Sequence, residues 1–423
     1  MKAIAYRKRN SKIKIVLVLL TVLAARKFLN PSGFFESDQI SKAIFYALSV
    51  ITFFYAYNQK VTVKHFSSFP HKAYMMIFIG MFLSVLMASL FQNQSFMVSL
   101  IAMIPYLLGY LFLYTLLKLQ LTEQAIIRII IWILCIAIVA YAINYITFPL
   151  MLFDTKGYES EVDDTRGVIR IGVPYIPLFV FGLFYSINQW LLYKKSKWLL
   201  FIGVTMLMIL LSVTRQVILI SALLSCWFIL KHLSLAKRIA FLLLTVVFFQ
   251  FVLPEIPIYQ ALVETSQLEI EANETKQENA RIRAFRFYTD EYQTNNLTRL
   301  FGNGVPSMGN SLWGKKFEND TQSAGSYASD LGWIGFYWYF GLLATIGVFI
   351  LFYKGLRKKK DARHEYLTYF CLAIMLQSIA SGPILVYHQV IALMLPLYLV
   401  YGIRTVGPRK KLSSAKKLTL SHT

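Results

Sequence analysis

Two arginines sit where arginine is costly. Arg215 interrupts the apolar run from Trp198 to Leu230, 33 residues broken only by Thr214-Arg215-Gln216. Arg283 lies in the long polar segment, where Arg281, Arg283 and Arg286 alternate with Ile282, Phe285 and Phe287. A guanidinium is a planar fork of donors that stays charged at any relevant pH. Near lipid it must face protein or a wet cavity and have something anionic to hold. Arg166 and Arg170 precede Gly172 and Pro174 at the entry to another apolar run, and Asp330 stands at the entry to a third. A carboxylate in that position can take a proton from a hydroxyl. Gly302-Asn303-Gly304-Val305-Pro306 is a turn sequence able to expose backbone N–H groups. His388 is alone within the last apolar run.

The elements that must position these groups are membrane helices. The chain has 423 residues, of which 57% are hydrophobic, 16% aromatic and 15% charged. Its apolar runs lack strict alternation, and only helices or closed barrels satisfy the backbone in lipid, so an all-α polytopic membrane protein is expected. As one helix, 198–230 would measure about 50 Å, against a hydrocarbon core of roughly 30 Å. It must therefore fold back, with Arg215 near the turn. Twelve spans are predicted, near 13–25, 40–57, 73–92, 96–117, 126–146, 168–187, 198–213, 217–230, 238–253, 331–353, 366–381 and 384–403. The first is short, so Lys12 and Lys14 must snorkel. A cleaved signal peptide is the alternative there, but no convincing small-residue cleavage site follows Ala25.

The net charge of +22 sorts by side. The N-terminus, the even-numbered connections and the C-terminal tail hold 29 Lys/Arg against 3 Asp/Glu. The other side holds 14 against 18, which together exhaust the 43 basic and 21 acidic residues. This positive-inside bias predicts that both termini are cytoplasmic. Clusters such as Arg357 to Lys360 then read as topology and anionic-lipid signals, with no nucleic-acid partner. Cys135, Cys226 and Cys371 fall in apolar runs as packing residues, and no metal-ligand spacing or cofactor motif is present.

The expected organisation is a membrane core over 1–253, a large external loop over 254–330, a second core section over 331–403 and a basic tail over 404–423. The loop is too long for mere linkage. Its helix-forming part, Ala261 to Arg286, carries glutamates that also fit a solvated helix face. No repeat relates the two halves, which weakens an inverted-repeat transporter.

Four segments together resemble the Wzy-type O-antigen and exopolysaccharide repeat-unit polymerases, whose membrane core is shared with the O-antigen ligases. They are Arg166-Gly-Val-Ile-Arg170-Ile-Gly172-Val-Pro174; Ser212-Val-Thr214-Arg215-Gln216; Ile282-Arg283 with Leu300-Phe301-Gly302-Asn303-Gly304; and Ser329-Asp330-Leu-Gly332-Trp-Ile-Gly335, leading to Gly341. These motifs cover about 50 residues between 166 and 341. The loop 254–330 lacks the histidine that ligases of this superfamily carry, which favours polymerisation.

The resemblance implies a glycosyltransferase of the bacterial cytoplasmic membrane, working on its outer face. Its donor and acceptor would be polyprenyl-pyrophosphate-linked oligosaccharides, with a chain-length regulator and a flippase as possible partners. Arg170, Arg215 and Arg283 would stabilise the pyrophosphate leaving group and Asp330 would act as base. Asp290 and Glu291 are weaker bases. Arg166, Arg286, Gly302, Gly304 and His388 would contact substrate. Plainer readings stand beside these roles. Arg215 also fits a snorkelling residue, Arg170 an ion-pair partner of Asp163 or Asp164, Arg281 and Arg286 headgroup contacts, and His388 a hydrogen-bonded core histidine. Trp333, Tyr337, Trp338 and Tyr339 fit sugar stacking or an interfacial belt equally. A flippase of lipid-linked oligosaccharide is the rival of another class.

Overall fold

A computed structural model of the chain describes residues 2–28, 38–59, 69–148, 152–153, 162–163, 168–169, 172–212, 214–247, 250–251, 253–255, 260, 263, 267, 280–292, 295–358 and 360–402. Helix dominates. The first helices are α1 (Lys2–Ala25), α2 (Asp38–Tyr57), α3 (His71–Phe91), α4 (Phe96–Leu119) and α5 (Glu123–Thr147). Two-residue strands β1 (Val162–Asp163) and β2 (Val168–Ile169) pair antiparallel. Then come α6 (Ile176–Tyr193), α7 (Lys197–Leu211), α8 (Arg215–Lys231) and α9 (Leu235–Val247). The large connection contributes α10 (Ala280–Arg286), continued as a π turn over Phe287–Glu291, then α11 (Asn296–Phe301), α12 (Leu312–Ala324) and a 3-10 turn over Ala328–Leu331. The chain ends in α13 (Trp333–Arg357), α14 (Tyr366–Gln377) and α15 (Tyr387–Gly402).

Among the described residues, six helices, within α2, α3, α4, α5, α6 and α13, are long and apolar enough to cross a membrane. The shorter α7, α14 and α15 are also apolar. The run 198–230 does break, with α7 ending at Leu211 and α8 beginning at Arg215. The sixth span differs from expectation. Residues 168–169 belong to a strand, and the helix runs from Ile176 to Tyr193, starting one residue before Pro177, which is tolerated in a first helical turn.

The core is organised on α15, where every residue from His388 to Tyr401 is buried. A helix apolar on all sides belongs at the centre of a bundle, and α15 packs on α4, α6, α1 and α5. The closest pairing elsewhere joins α3 and α13. A Cβ on Gly80 would stand 2.6 Å from the Ala344 nitrogen, and one on Gly347 2.6 Å from the Ala73 oxygen. Small residues at both crossings let the two backbones touch.

Helix α13 is broken. Gly341 adopts φ 75°, ψ 178°, outside helical geometry. The break removes the normal donors to the carbonyls of Trp338 and Tyr339. Those carbonyls are satisfied instead by the N–H groups of Asn303 (2.9 Å) and Gly304 (2.9 Å). Residues 302–305 thus form a strap wedged between α3 and α13. Gln92 donates to the Asn303 Oδ1 (2.9 Å), and Gln94 donates to the Val305 carbonyl (3.0 Å) and accepts from Ser307 N and Ser311 Oγ. Irregular backbone among membrane helices is tolerable only when protein buries it and its polar groups are paired.

Candidate functional site

At the end of the bundle bearing residues 280–331, here the loop end, lies a cavity of about 370 Å³, a size typical of small-molecule sites. Its floor is aromatic. Tyr106 of α4 stands 6.3 Å from the Tyr339 ring of α13 and 6.4 Å from the Tyr387 ring of α15. Its roof is the large connection, through Tyr288, Phe317, Thr321 and Ser329. The charged side chains of its wall are Lys27 and Lys42, and His388 completes it. Among the described residues no carboxylate lines it.

His388 is held by Arg26, whose Nη1 bonds the imidazole Nε2. All guanidinium nitrogens are donors, so Nε2 must accept. The ring is then neutral with its proton on Nδ1, a hydrogen-bond donor with no lone pair left to act as a base. Arg26 and Lys27 come from the end of α1. There the N–H of Lys27 bonds the Ala24 carbonyl (3.0 Å) and the N–H of Phe28 bonds the Leu23 carbonyl (3.1 Å). This is a Schellman closure, with Lys27 in the left-handed region at φ 63°.

The roof is fixed by an aromatic cluster. Trp338 is 1% exposed and stacks on Phe317 at 5.0 Å, with Tyr288 edge-on to it at 5.2 Å. Trp338 is therefore packing for the loop, neither a sugar platform nor an interfacial anchor. Trp333 donates Nε1 to the Met375 carbonyl. Tyr288 donates to the Ser326 carbonyl (3.2 Å), and burial holds its hydroxyl pKa above the ordinary tyrosine value, so it keeps its proton.

The residues singled out in the sequence divide as follows. Arg166 and Arg170 lie outside the described residues, as does the side chain of Arg281. His388 lines the cavity. Asp330 is exposed at its rim, beside the lining Ser329 and within electrostatic reach of Tyr288. Arg283 and Arg286 are exposed on α10, which packs against the Ala328–Leu331 turn, so the loop arginines and Asp330 share one edge of the roof. Arg215, half-buried at the start of α8, is not in the cavity wall; its neighbour Gln216 donates to the Leu376 carbonyl (3.0 Å). Asp290 and Glu291 are exposed.

The glycines require a correction. The turn 302–306 was expected to expose N–H groups to a ligand, but those of Gly302, Asn303 and Gly304 bond the carbonyls of Thr298, Trp338 and Tyr339. Gly302 and Gly304 are needed for close approach instead. A Cβ on Gly302 would lie 2.5 Å from the Gly341 nitrogen, and one on Gly304 2.8 Å from the Ser84 oxygen.

Sequence reasoning missed Arg26, Lys27, Lys42, Tyr106 and Tyr387. One signal was available: these three cations belong to the acidic side of the charge sort, against the positive-inside bias. No group of three or more His, Cys, Asp or Glu able to hold a metal occurs among the described residues. In comparisons with known proteins, no family model and no curated protein matches the chain.

Proposed function

We propose that this chain is a twelve-span glycosyltransferase that polymerises polyprenyl-pyrophosphate-linked oligosaccharide repeat units on the outer face of a bacterial cytoplasmic membrane. The observation that carries the reading is the loop-end cavity, which sets lysines, tyrosines and a donor histidine beneath a loop bearing arginines and a carboxylate. In the reaction, a hydroxyl oxygen of the acceptor repeat unit bonds the anomeric carbon of the donor chain. The bond from that carbon to the pyrophosphate oxygen breaks, and polyprenyl pyrophosphate leaves with the electron pair. Asp330 takes the hydroxyl proton. Fixed cations at the loop end, with Arg283, Arg215 and Arg170 proposed among them, stabilise the charge growing on the leaving group. A chain-length regulator and a flippase are proposed partners.

The topology has separate support. Among the described residues, hydrogen bonds between connections join only segments that the charge sort puts on one side. Gln94 bonds the 305–311 segment at the loop end, whereas Asn188 bonds the Arg363 carbonyl and His364 bonds Glu123 at the far end. Single cysteines replacing Ser307 and Lys195 should be labelled from opposite faces. Labelling of both from the same face removes the orientation.

The broken α13 favours a second reading, a flippase, since interrupted helices mark transport sites. One assay separates them. Purified protein supplied only with lipid-linked repeat units and a chelator should yield a ladder of longer lipid-linked chains without nucleotide. A ligase gives single transfer to a separate acceptor, and a flippase leaves length unchanged. A ladder that needs one specific metal would demote the arginines to positioning.

A further inference from the structure

We propose that residues 296–306 form a re-entrant segment that dips into the membrane leaflet at the loop end, with Leu297 and Leu300 of α11 facing its acyl chains. The inference needs only that α3 and α13 cross the membrane, so it stands apart from the polymerase reading.

The depth follows from helix lengths. α3 has 21 residues, about what a hydrocarbon core of roughly 30 Å requires. Its last residues, Leu90 and Phe91, must then lie near the edge of that core. A Cβ on Gly304 would stand 2.8 Å from the Ser84 oxygen and 2.7 Å from the Ala88 Cβ. From Ser84 to Phe91 is about 10 Å of helix. On α13, Gly302 meets Gly341, which lies about 12 Å along the helix from Trp333. α13 exceeds the core by only about 7 Å, so Gly341 is inside it even if the whole excess lies at the loop end. Both spans thus place the strap below the membrane edge. The chain then returns, because the N–H of Ser307 bonds the Gln94 Oε1 (2.9 Å) in the connection that follows α3. The pairing of the Gly302, Asn303 and Gly304 N–H groups with protein carbonyls is what such a depth demands.

The outward face of the segment is apolar. Leu297 and Leu300, one turn apart on α11, are 47% and 45% exposed, while Thr298 between them is buried. α11 packs on α3, whose exposed Leu90 and Phe91 end a span, so the two leucines extend a surface that already meets lipid. Arg299 is exposed on the same helix, and its long stem lets the guanidinium stay at headgroup level. α12 shows the contrast within one connection. After Leu312 in its first turn it exposes Lys315, Lys316, Asn319 and Gln322, the face of a helix in water. Met308 lines the loop-end cavity just after the strap, so that part of the cavity wall stands at the edge of the leaflet.

The test uses full-length protein in phosphatidylcholine nanodiscs, with p-benzoylphenylalanine placed singly at Leu297, Leu300, Ile101 or Asn319. After irradiation, adducts are read by mass spectrometry. Ile101, exposed on the span α4, reports lipid, and Asn319 reports water. Leu297 and Leu300 should give phosphatidylcholine adducts as Ile101 does, and Asn319 should give none. Fragmentation should place the adducts on an acyl chain. Absence of lipid adducts at both leucines overturns the proposal. So do adducts confined to the headgroup, which would leave the segment lying on the surface, and crosslinks to a second copy of the chain, which would make this face an interface between protomers.

The same depth can be read without a photoprobe. Leu300→Asp should lower the thermal midpoint in nanodiscs, because a carboxylate is costly in lipid, whereas Leu300→Met and Asn319→Asp should match the native chain. An unchanged midpoint in Leu300→Asp overturns the proposal. The two readings fail separately. A polymer ladder without lipid adducts removes this segment's insertion alone, and lipid adducts without a ladder remove the polymerase alone.

Discussion

The two ends of the bundle each carry a hollow of nearly the same size, about 370 Å³ at the loop end and about 380 Å³ at the far end. Their chemistry is opposite. The far hollow includes its own carboxylate, Glu365, which pairs with Lys231 at 2.6 Å and His232 at 3.1 Å. Nearby, His364 lies between Glu123 at 3.1 Å and Asp361. These three carboxylates are all the acids that the charge sort gives this side. Other far-end lysines cap the last carbonyls of helices: Lys14 on Leu119, Lys358 on Val400 and Lys360 on Gly355. Positive charge suits helix C-termini. Cations at the far end thus stabilise the chain's own structure, whereas among the described residues no carboxylate lines the loop-end wall. Equal volume therefore says little about function, and the partners of the charges say much.

The largest test of that contrast is catalytic. Arg283→Ala and Arg215→Ala should each reduce polymer formation by on the order of 10²–10³ while the protein still folds and inserts. Arg283→Lys should recover little, because an ammonium cannot fork two oxygens. Asp330→Asn should cost about 10² or more if it is the base. Lys231→Ala at the far end should leave the ladder intact. Native polymer in either arginine variant would make that arginine structural, and a lost ladder in Lys231→Ala would dissolve the distinction between the ends.

A stability difference comes next. Gly302→Ala and Gly341→Ala each place a Cβ about 2.5 Å from backbone at a positive φ. Each should destabilise by roughly 3 kcal/mol or more, adding overpacking to backbone strain. Thermal unfolding in detergent reads this directly. Gly309→Ala serves as control, since it shares a positive φ but its added Cβ meets nothing within 4 Å. Equal losses in all three would mean that conformation alone, and not the fit of the strap, is at stake.

The smallest effect belongs to the far end. The hydrogen bond from Glu123 raises the His364 pKa above its ordinary value, with Asp361 adding to it. A raised histidine contributes its full stability below its unfolded value, about 6.5, and loses it as pH climbs through the folded value. Glu123→Gln should therefore lower the thermal midpoint at pH 6 and hardly at all at pH 9. The loss should be a few tenths of a kcal/mol to about 1, as expected for a partly exposed pair. A loss that grows with pH would reverse the sign and rule out the protonated histidine.

The helices were legible because lipid leaves a long apolar run few alternatives, and the break at Thr214 followed from length alone. The start of α6 was not, since the apolar residues of 168–176 run on into the helix, and Arg170, Gly172 and Pro174 were read as a motif at a span entry and not as the reason for a later start. The strap was beyond sequence reasoning. Gly302 and Gly341 are 39 positions apart, and their mutual fit is a tertiary fact with no local pattern. Of the candidate site, His388 had been singled out as the lone histidine within the last span, and it lines the cavity, whereas Asp330, singled out at a span entry, does not. Arg26, Lys27 and Lys42 were counted only as charge, although their position on the acidic side set them apart. Tyr106 and Tyr387 carry no signal within runs so rich in aromatics.

The strap also has a history in time. Residues 302–305 leave the ribosome before any of α13 does, so the groups that complete its interrupted backbone are made before the interruption itself. When α13 arrives beside α3, the N–H groups of Asn303 and Gly304 can already be waiting for the stranded carbonyls of Trp338 and Tyr339. The loop is in this sense a folding cofactor carried in the same chain. Variants that move or shorten residues 296–306 should consequently fail during biogenesis, as α13 enters the bilayer, before any question of catalysis arises.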